Sequence, residues 1–263
     1  MISIIVNNYG RSYLLPLVMQ CYNRSVFKGE PIEMVIIDDN SPEPFEEYLK
    51  LALQTIHPYF NVRAFQTHNQ GSWTNPGITA NLGVKQSKGD VIILNPSDMI
   101  PFNPYTLQVV SEYHRSHPMT HLSSTEIPLT HTSWSEGKYP TTGGELSLPG
   151  SSMPRSLFDK IGGFDERFRT YGHEDADILW RIYYGAEDLG IHHDHHKELF
   201  YLHLSPAHVL LNSPAHELLK QSCTNNDGYV RENMTKRNWV VNPNGWGVWP
   251  KLTEILSYHG EMN

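Results

Sequence analysis

The first hundred residues repeat one pattern of polarity. A short β-branched apolar run gives way to a polar loop, and the loop to an amphipathic stretch. Ile2 to Val6, Met34 to Ile37, Val62 to Phe65 and Val91 to Leu94 are runs of buried-strand length. Residues 12–26, 44–56 and 75–87 carry helix-compatible spacing between them. Strand and helix in alternation predict right-handed crossovers and a mostly parallel central sheet flanked by helices, an α/β fold. Ligands of such sheets bind beyond the carboxyl ends of the strands. That places interest on Asn7-Asn8, Asp38-Asp39, Gln66 to Gly71, and Asn95 to Asp98.

The pattern changes near residue 128. Pro, Thr, Ser and Gly dominate to about 150, around Trp134 and Tyr139, and read as a long lid or binding loop. A helix-like segment is expected at 154–161, a helix at about 174–184 and a strand at Leu199 to Leu202. The run His192 to His196 reads as a solvated loop, because its ligands are too adjacent to face one ion together. A helical, then aromatic, region closes the chain, with Trp239, Trp246 and Trp249 a candidate sugar-stacking platform or plain core packing. There is no repeat and no linker. The expected organisation is one domain over 1–208, with a nucleotide-binding half (1–100) and a catalytic half (101–208), and an extension over 209–263 packed on it.

Charge narrows the partners. Against 28 acidic residues stand 20 basic ones, so a nonspecific grip on nucleic-acid phosphates is not expected. The two cysteines, Cys21 and Cys223, form no close motif, which favours a reducing compartment. No run approaches the ~20 apolar residues of a membrane span, and no signal-peptide pattern is seen; the expectation is a cytoplasmic protein.

Four groups of residues carry candidate chemistry, each with a plainer alternative. Asp38-Asp39-Asn40-Ser41 follows the second strand, where carboxylates suit a base N–H or ribose hydroxyl, but where they also make turns and helix caps. Asp98 emerges beyond the fourth strand, where one carboxylate and substrate phosphates can hold Mg²⁺ or Mn²⁺; otherwise it is a loop aspartate. In Gly172-His173-Glu174-Asp175-Ala176-Asp177, Asp177 has Arg181 as an i, i+4 partner. Glu174 and Asp175 either serve the helix dipole or accept a proton from an attacking hydroxyl. His203 ends the Leu199 to Leu202 strand, with His208 five residues on; each is a metal ligand or a packed histidine.

Taken in order, these segments resemble GT-A glycosyltransferases of family 2. The marks are Ser3-Ile4-Ile5-Val6-Asn7-Asn8-Tyr9-Gly10-Arg11, then Val35-Ile36-Ile37-Asp38-Asp39-Asn40-Ser41, then Asn69-Gln70-Gly71 and Asn81-Leu82-Gly83. Gly89 and the strand Val91 to Leu94 follow, and then Ile161-Gly162-Gly163-Phe164-Asp165-Glu166. The stretch Tyr171 to Asp177 is similar to the Gly-x-Glu-Asp-x-Asp segment of galactosyltransferase-like relatives. The resemblance covers about residues 1–208.

It implies a GT-A, Rossmann-like domain that moves a hexosyl or N-acetylhexosaminyl group from a nucleotide-sugar, a UDP-sugar by preference, to an acceptor hydroxyl with inversion. A saccharide or glycoconjugate is the implied acceptor. Asp39 would meet the nucleobase with Asp38 behind it, and Asn7, Tyr9, Arg11 and Asn81 would complete the nucleotide site. Asp98 and His203, or His208, would hold Mn²⁺ or Mg²⁺; Asp175 would be the base and Glu174 would position the acceptor. Two positions depart from the pattern: Pro96 or Asn95 stands for the first acid of Asp-x-Asp, and Ala80 for an arginine. A nucleotidyltransferase and a catalytically silent nucleotide- or sugar-binding module are the alternatives. The first would have only a poor version of its Gly-rich basic loop in Asn7-Asn8-Tyr9-Gly10-Arg11, and the second has little use for Glu174-Asp175.

Overall fold

The computed structural model describes residues 1–25, 27, 29–69, 74–129, 148–204 and 214–260, with backbone alone for 214–220. Four parallel strands form its centre: β1 (Ile2–Asn8), β2 (Ile32–Asp38), β3 (Asn61–Thr67) and β4 (Val91–Leu94). Five more extend the sheet: β5 (Met99–Pro101), β6 (Thr120–Pro128), β7 (Ser152–Pro154), β8 (His192–His203) and β9 (Leu252–Tyr258). The order is β5-β8-β6-β7-β4-β1-β2-β3-β9. The chain steps from β1 outward through β2 to β3, then returns to β4 on the other side. The crevice where these directions part is the favoured ligand position of open α/β sheets.

Helices α1 (Leu15–Asn23), α2 (Phe45–Ile56) and α4 (Thr106–Ser116) cover one face of the sheet. Helices α3 (Pro76–Gln86), α5 (Arg155–Lys160) and α6 (Glu174–Tyr184) cover the other. Alternation in β1 sends Ile2, Ile4 and Val6 to the first layer and Ile5 to the second. β2 is buried at every position, as a strand covered on both faces must be. Helix α3 is buried from Gly77 to Val84, so it has no polar face to show. Gly83 lets it lie on the sheet: a Cβ there would stand 2.4 Å from Ile5 Cγ2. Asn75 caps this helix by accepting from Gly77 N at 2.8 Å, and Pro76 supplies the first-turn proline.

The central strands and helices match the expected positions; the rim of the sheet does not. His192 to His196 opens β8 instead of forming a loop. These residues pair with β6 in parallel, Thr120 opposite His192 and His121 opposite His193. Imidazole Nδ1 atoms of His121 and His193 meet at 2.8 Å, so the run is tied down by its neighbour strand. Residues 130–147 of the expected lid lie outside the described residues, as do Gln70, Gly71 and His208. Beyond α7 (Ala186–Leu189), helix α8 (Pro214–Lys236) packs on α6, and β9 joins β3 antiparallel. No helix among the described residues is long and apolar enough to cross a membrane.

Candidate active site

At the ends of β1, β2 and β3 the polar residues bind one another. Asp38 is fully buried and accepts from Asn8 Nδ2 (2.8 Å), Ser41 N (3.0 Å), Ser41 Oγ (2.5 Å) and Gln66 Nε2 (2.9 Å). Its oxygens are used up in joining three strand ends. Asp39 is also buried and accepts from Thr67 Oγ1 (2.8 Å), Thr74 Oγ1 (3.0 Å) and Thr74 N. Burial pushes the Asp39 carboxyl up, the threonine bonds pull it down, and the Asp38 charge adds to the rise, which prevails. Half-buried Asn7 gives its carbonyl to Ser97 N (3.1 Å), fastening the end of β1 to the loop that carries Asp98. Tyr9 is exposed beside them.

Asn81 is not part of this group. It is fully buried in α3, where its amide donates to Phe164 O (2.9 Å) and Glu166 Oε1 (3.0 Å) and accepts from Phe164 N (2.9 Å). Every polar atom of the side chain has a partner in the Gly-Gly-Phe-Asp-Glu segment, which holds Asn81 in the core away from Asp38 and Asp39. The three tryptophans also fail to gather. Trp239 is buried and donates to Asp188, Trp246 packs edge-on to Phe158, and Trp249 is exposed under Arg169.

Beyond β4, Met99 N donates to Pro96 O (2.9 Å), and this turn delivers Asp98 into the cleft. Pro96 thus belongs to the turn itself. The Asp98 side chain is 4% exposed and meets two cations: Arg11 Nη1, and His203 Nε2 at 3.2 Å. Burial alone would raise the Asp98 carboxyl. The His203 bond and the Arg11 and His203 charges outweigh it and hold the group below its usual range. On its other side the His203 ring meets Glu126 Oε1 through Nδ1, at 2.5 Å. Burial works against a charged imidazole there, yet bonds to Asp98 and Glu126 push His203 up to about 9.

The third part is the start of α6. Gly172 (φ +102°) and His173 (φ +69°) turn the chain sharply, and only glycine takes the former at low cost. Buried Glu174 closes this turn, accepting from Gly172 N (2.8 Å) and Asn75 Nδ2 (3.0 Å). From α8, Asn226 Nδ2 donates to Thr170 O (2.9 Å) and Gly172 O (2.7 Å). The turn is held from both sides, and Asp175 projects from it. No described residue hydrogen-bonds the Asp175 side chain, whose outer surface is open to solvent. The protein packed around it, then the charges of Glu174 and Glu126, push its carboxyl upward, against an opposing pull from His203. Solvent on the open side moderates the rise.

Asp98, His203, Glu126 and Arg11 are therefore in contact beyond β4, the charges of Glu126 and His203 act on Asp175, and Asp38 and Asp39 stand at the end of β2 on the same edge of the sheet, where the cleft is placed. Sequence reasoning did not single out Glu126, Asn75 or Asn226. Asn75-Pro76 bears a helix-start signature, whereas Glu126 and Asn226 stand in no motif. Among the described residues, no three His, Cys, Asp or Glu side chains are arranged around one ion position. The donor set of Asp98 and His203 still fits Mg²⁺ or Mn²⁺, which take one or two protein ligands and complete their shells with substrate phosphate and water.

No curated protein matches the chain in sequence. Solved structures do match in fold. TarS of S. aureus in complex with UDP is 17% identical, with TM-score 0.60, over 88% of this chain and 73% of that one. TarS with UDP-GlcNAc is 15% identical, with TM-score 0.61, over 84% and 64%. Mannosyltransferase PcManGT of Pyrobaculum calidifontis, with GDP-Man and Mn²⁺, is 13% identical, with TM-score 0.53, over 78% and 57%. The chain spans 66% of the shorter TarS chain and 40% of the longer one. The family model for glycosyl transferase family 2 matches residues 3–177, which include every strand end of the cleft from β1 to β4 together with Glu174 and Asp175. The chain belongs to glycosyl transferase family 2.

Proposed function

We propose that this protein transfers a hexosyl or N-acetylhexosaminyl group from a UDP-sugar to a hydroxyl of a saccharide or glycoconjugate, with inversion and with Mn²⁺ or Mg²⁺. The observation that carries the proposal is the meeting, in one cleft of a family 2 chain, of an Asp–His pair suited to a cation and a carboxylate that has no side-chain partner among the described residues. The nucleotide sugars in the TarS and PcManGT structures, and the Mn²⁺ of the latter, support the donor class and the cation.

Asp39, with Asn7 and Tyr9, would meet the nucleoside, while Asp38 keeps Asp39 and the strand ends in place. Asp98 and His203 Nε2 would hold the cation. Arg11 already supplies positive charge at that carboxylate, and beside a donor it would face the diphosphate. When bound, the cation would act as a Lewis acid, offsetting charge that grows on the departing nucleoside diphosphate. Asp175 would take the proton of the acceptor hydroxyl while its oxygen bonds to the anomeric carbon. The bond from that carbon to the diphosphate oxygen breaks on the opposite face, and its electron pair leaves with the diphosphate. A carboxylate whose pKa is displaced upward is a better proton acceptor than a free aspartate. Glu174, buried and fastened to Asn75 and Gly172, would act on the acceptor by fixing the turn that aims Asp175.

Calorimetry of UDP in Mn²⁺ and in chelator tests the nucleotide and cation sites together. Tighter binding with Mn²⁺, lost in His203→Ala and Asp98→Asn, is expected. Equal affinity in both conditions would remove the cation from the proposal. Release of UDP from UDP-sugars with no other nucleotide sugar accepted is the matching outcome for donor class.

A further inference from the structure

Residues 98, 126 and 203 are far apart in the chain and adjacent in the sheet. Strand β8 lies between β5 and β6, and the three side chains form a row across these strands. Asp98 immediately precedes β5, whose Met99 is opposite His203. Pro128 of β6 is opposite His203 from the other side, and Glu126 is two positions earlier. In a strand, residues two apart share a face, so Glu126 leans on the histidine diagonally. Backbone bonds fix the row at both flanks: Leu204 N to Asp98 O at 2.9 Å, and Leu129 N to His203 O at 2.9 Å.

The two nitrogens of an imidazole point in opposite directions. His203 Nε2 faces Asp98 and Nδ1 faces Glu126. One ion cannot take both nitrogens, and a carboxylate bonded at Nδ1 is on the wrong side of the ring to reach an ion held at Nε2. A carboxylate is acceptor-only when ionised, so it requires the proton to sit on Nδ1. Ionised Asp98 asks for a proton on Nε2 in the same way, so His203 is an imidazolium between the two carboxylates; a cation at Nε2 would replace that proton, and the one on Nδ1 would stay with Glu126. Histidine ligands generally need such an outer partner, which sets the tautomer and the ring angle.

We propose that Glu126 is a positioning residue for the cation site: it holds His203 by the far ring nitrogen and thereby presents Nε2 beside Asp98. This rests on the cation-dependent reading above. Glu126 reaches no ion itself and acts through His203. It is 18% exposed against 4% for Asp98, so the row runs from a buried carboxylate to one at the cleft margin. Because the Glu126 charge also acts on Asp175, turnover in a Glu126 variant would mix two effects. Cation affinity isolates one.

The test is titration of Mn²⁺ into the UDP-bound protein, following free Mn²⁺ by electron paramagnetic resonance, for wild type, Glu126→Ala, Glu126→Thr, Glu126→Gln and His203→Ala. Loss of an outer hydrogen-bond partner typically weakens metal binding ~10–100-fold, and that loss is expected for the Ala and Thr variants. Thr is the strand-compatible alternative, so one folded variant of the two suffices. Gln keeps an acceptor oxygen at Nδ1 and should restore affinity to within a few-fold of wild type. UDP affinity in chelator should be the same throughout. Wild-type Mn²⁺ affinity in folded Glu126→Ala or Glu126→Thr, with His203→Ala impaired, would overturn the role of Glu126 alone. If His203→Ala also binds Mn²⁺ like wild type, the cation assignment fails and this role fails with it.

Discussion

Asp175 and Asp177 stand two residues apart at the start of α6 and meet opposite surroundings. Successive helical residues are about 100° apart, so these two carboxylates face nearly opposite ways. Asp177 is completely buried, with Arg181 Nε at 2.7 Å and Asn233 Nδ2 at 2.7 Å. Arg181, equally buried, also donates to Ile161 O (3.0 Å) and Gly163 O (2.8 Å), and Asn233 reaches on to Asp165 (3.0 Å). Each charge is matched, and the network joins α6, α8 and the Gly-Gly-Phe-Asp-Glu segment. Among the described residues Asp175 has no such partner, and the charges of Glu174 and Glu126 act on it. The contrast separates a carboxylate that holds the fold from one that the fold holds ready. The charge of the first is matched inside the fold, and that of the second is left to solvent beside two acidic groups, a local conflict of the kind expected at functional sites.

The largest effect should come from Asp175→Asn. It keeps size and loses the proton acceptor, and general-base catalysis contributes typically ~10²–10⁴-fold. Turnover with UDP-sugar should fall by at least that order while UDP affinity with Mn²⁺ stays near wild type. A variant that keeps more than about a tenth of wild-type turnover would take Asp175 out of the mechanism and make Glu174 the next residue to test.

Asp177→Ala should do the reverse. Removing one partner of a buried pair strands the other charge, at a cost of about 3–5 kcal/mol. Chemical denaturation should show that loss. The protein that remains folded should turn over at near the wild-type rate, since Asp177 lies on the far side of the helix from the cleft. Unchanged stability would dissolve the contrast between the two aspartates.

The same contrast explains what could be read from the sequence. Strands β1 to β4 were legible because each is a short apolar run between helical periods, and α6 because its Asp177–Arg181 spacing is local. The start of β8 was not, since His192 to His196 is as polar as a loop and becomes strand by pairing with β6. Strand β9 is half-exposed and gains its place from β3. Asp98, His203 and Asp175 were singled out by their order in a family pattern. Glu126 had no pattern to mark it: its partner His203 is 77 residues away, and only the sheet brings them together. Asn81 shows the converse, a motif residue whose polar atoms are all spent inside the core.

The smallest effect tests the electrostatic half of the contrast. Folding raises the Asp175 carboxyl, through the packed surroundings first and Glu174 and Glu126 next. A carboxyl group raised on folding binds its proton more tightly in the folded state than in the unfolded one. Below about pH 4, the ordinary aspartate range, both states carry the proton and the group leaves stability unchanged. As pH rises from there, the unfolded chain ionises freely and the folded chain does not, so the wild type loses stability. Asp175→Asn cannot ionise at this position and escapes the loss. The thermal midpoint of the variant minus that of the wild type should therefore be near zero at acid pH and grow positive toward neutrality. Glu174 is present in both proteins and largely cancels in the difference. Since Asp175 is open to water, added salt should shrink the gap, as the screening length falls from ~10 Å at 0.1 M to ~3 Å at 1 M. A gap that stays flat with pH, or turns negative toward neutrality, would mean that Asp175 is matched after all, by a group that stabilises its charge.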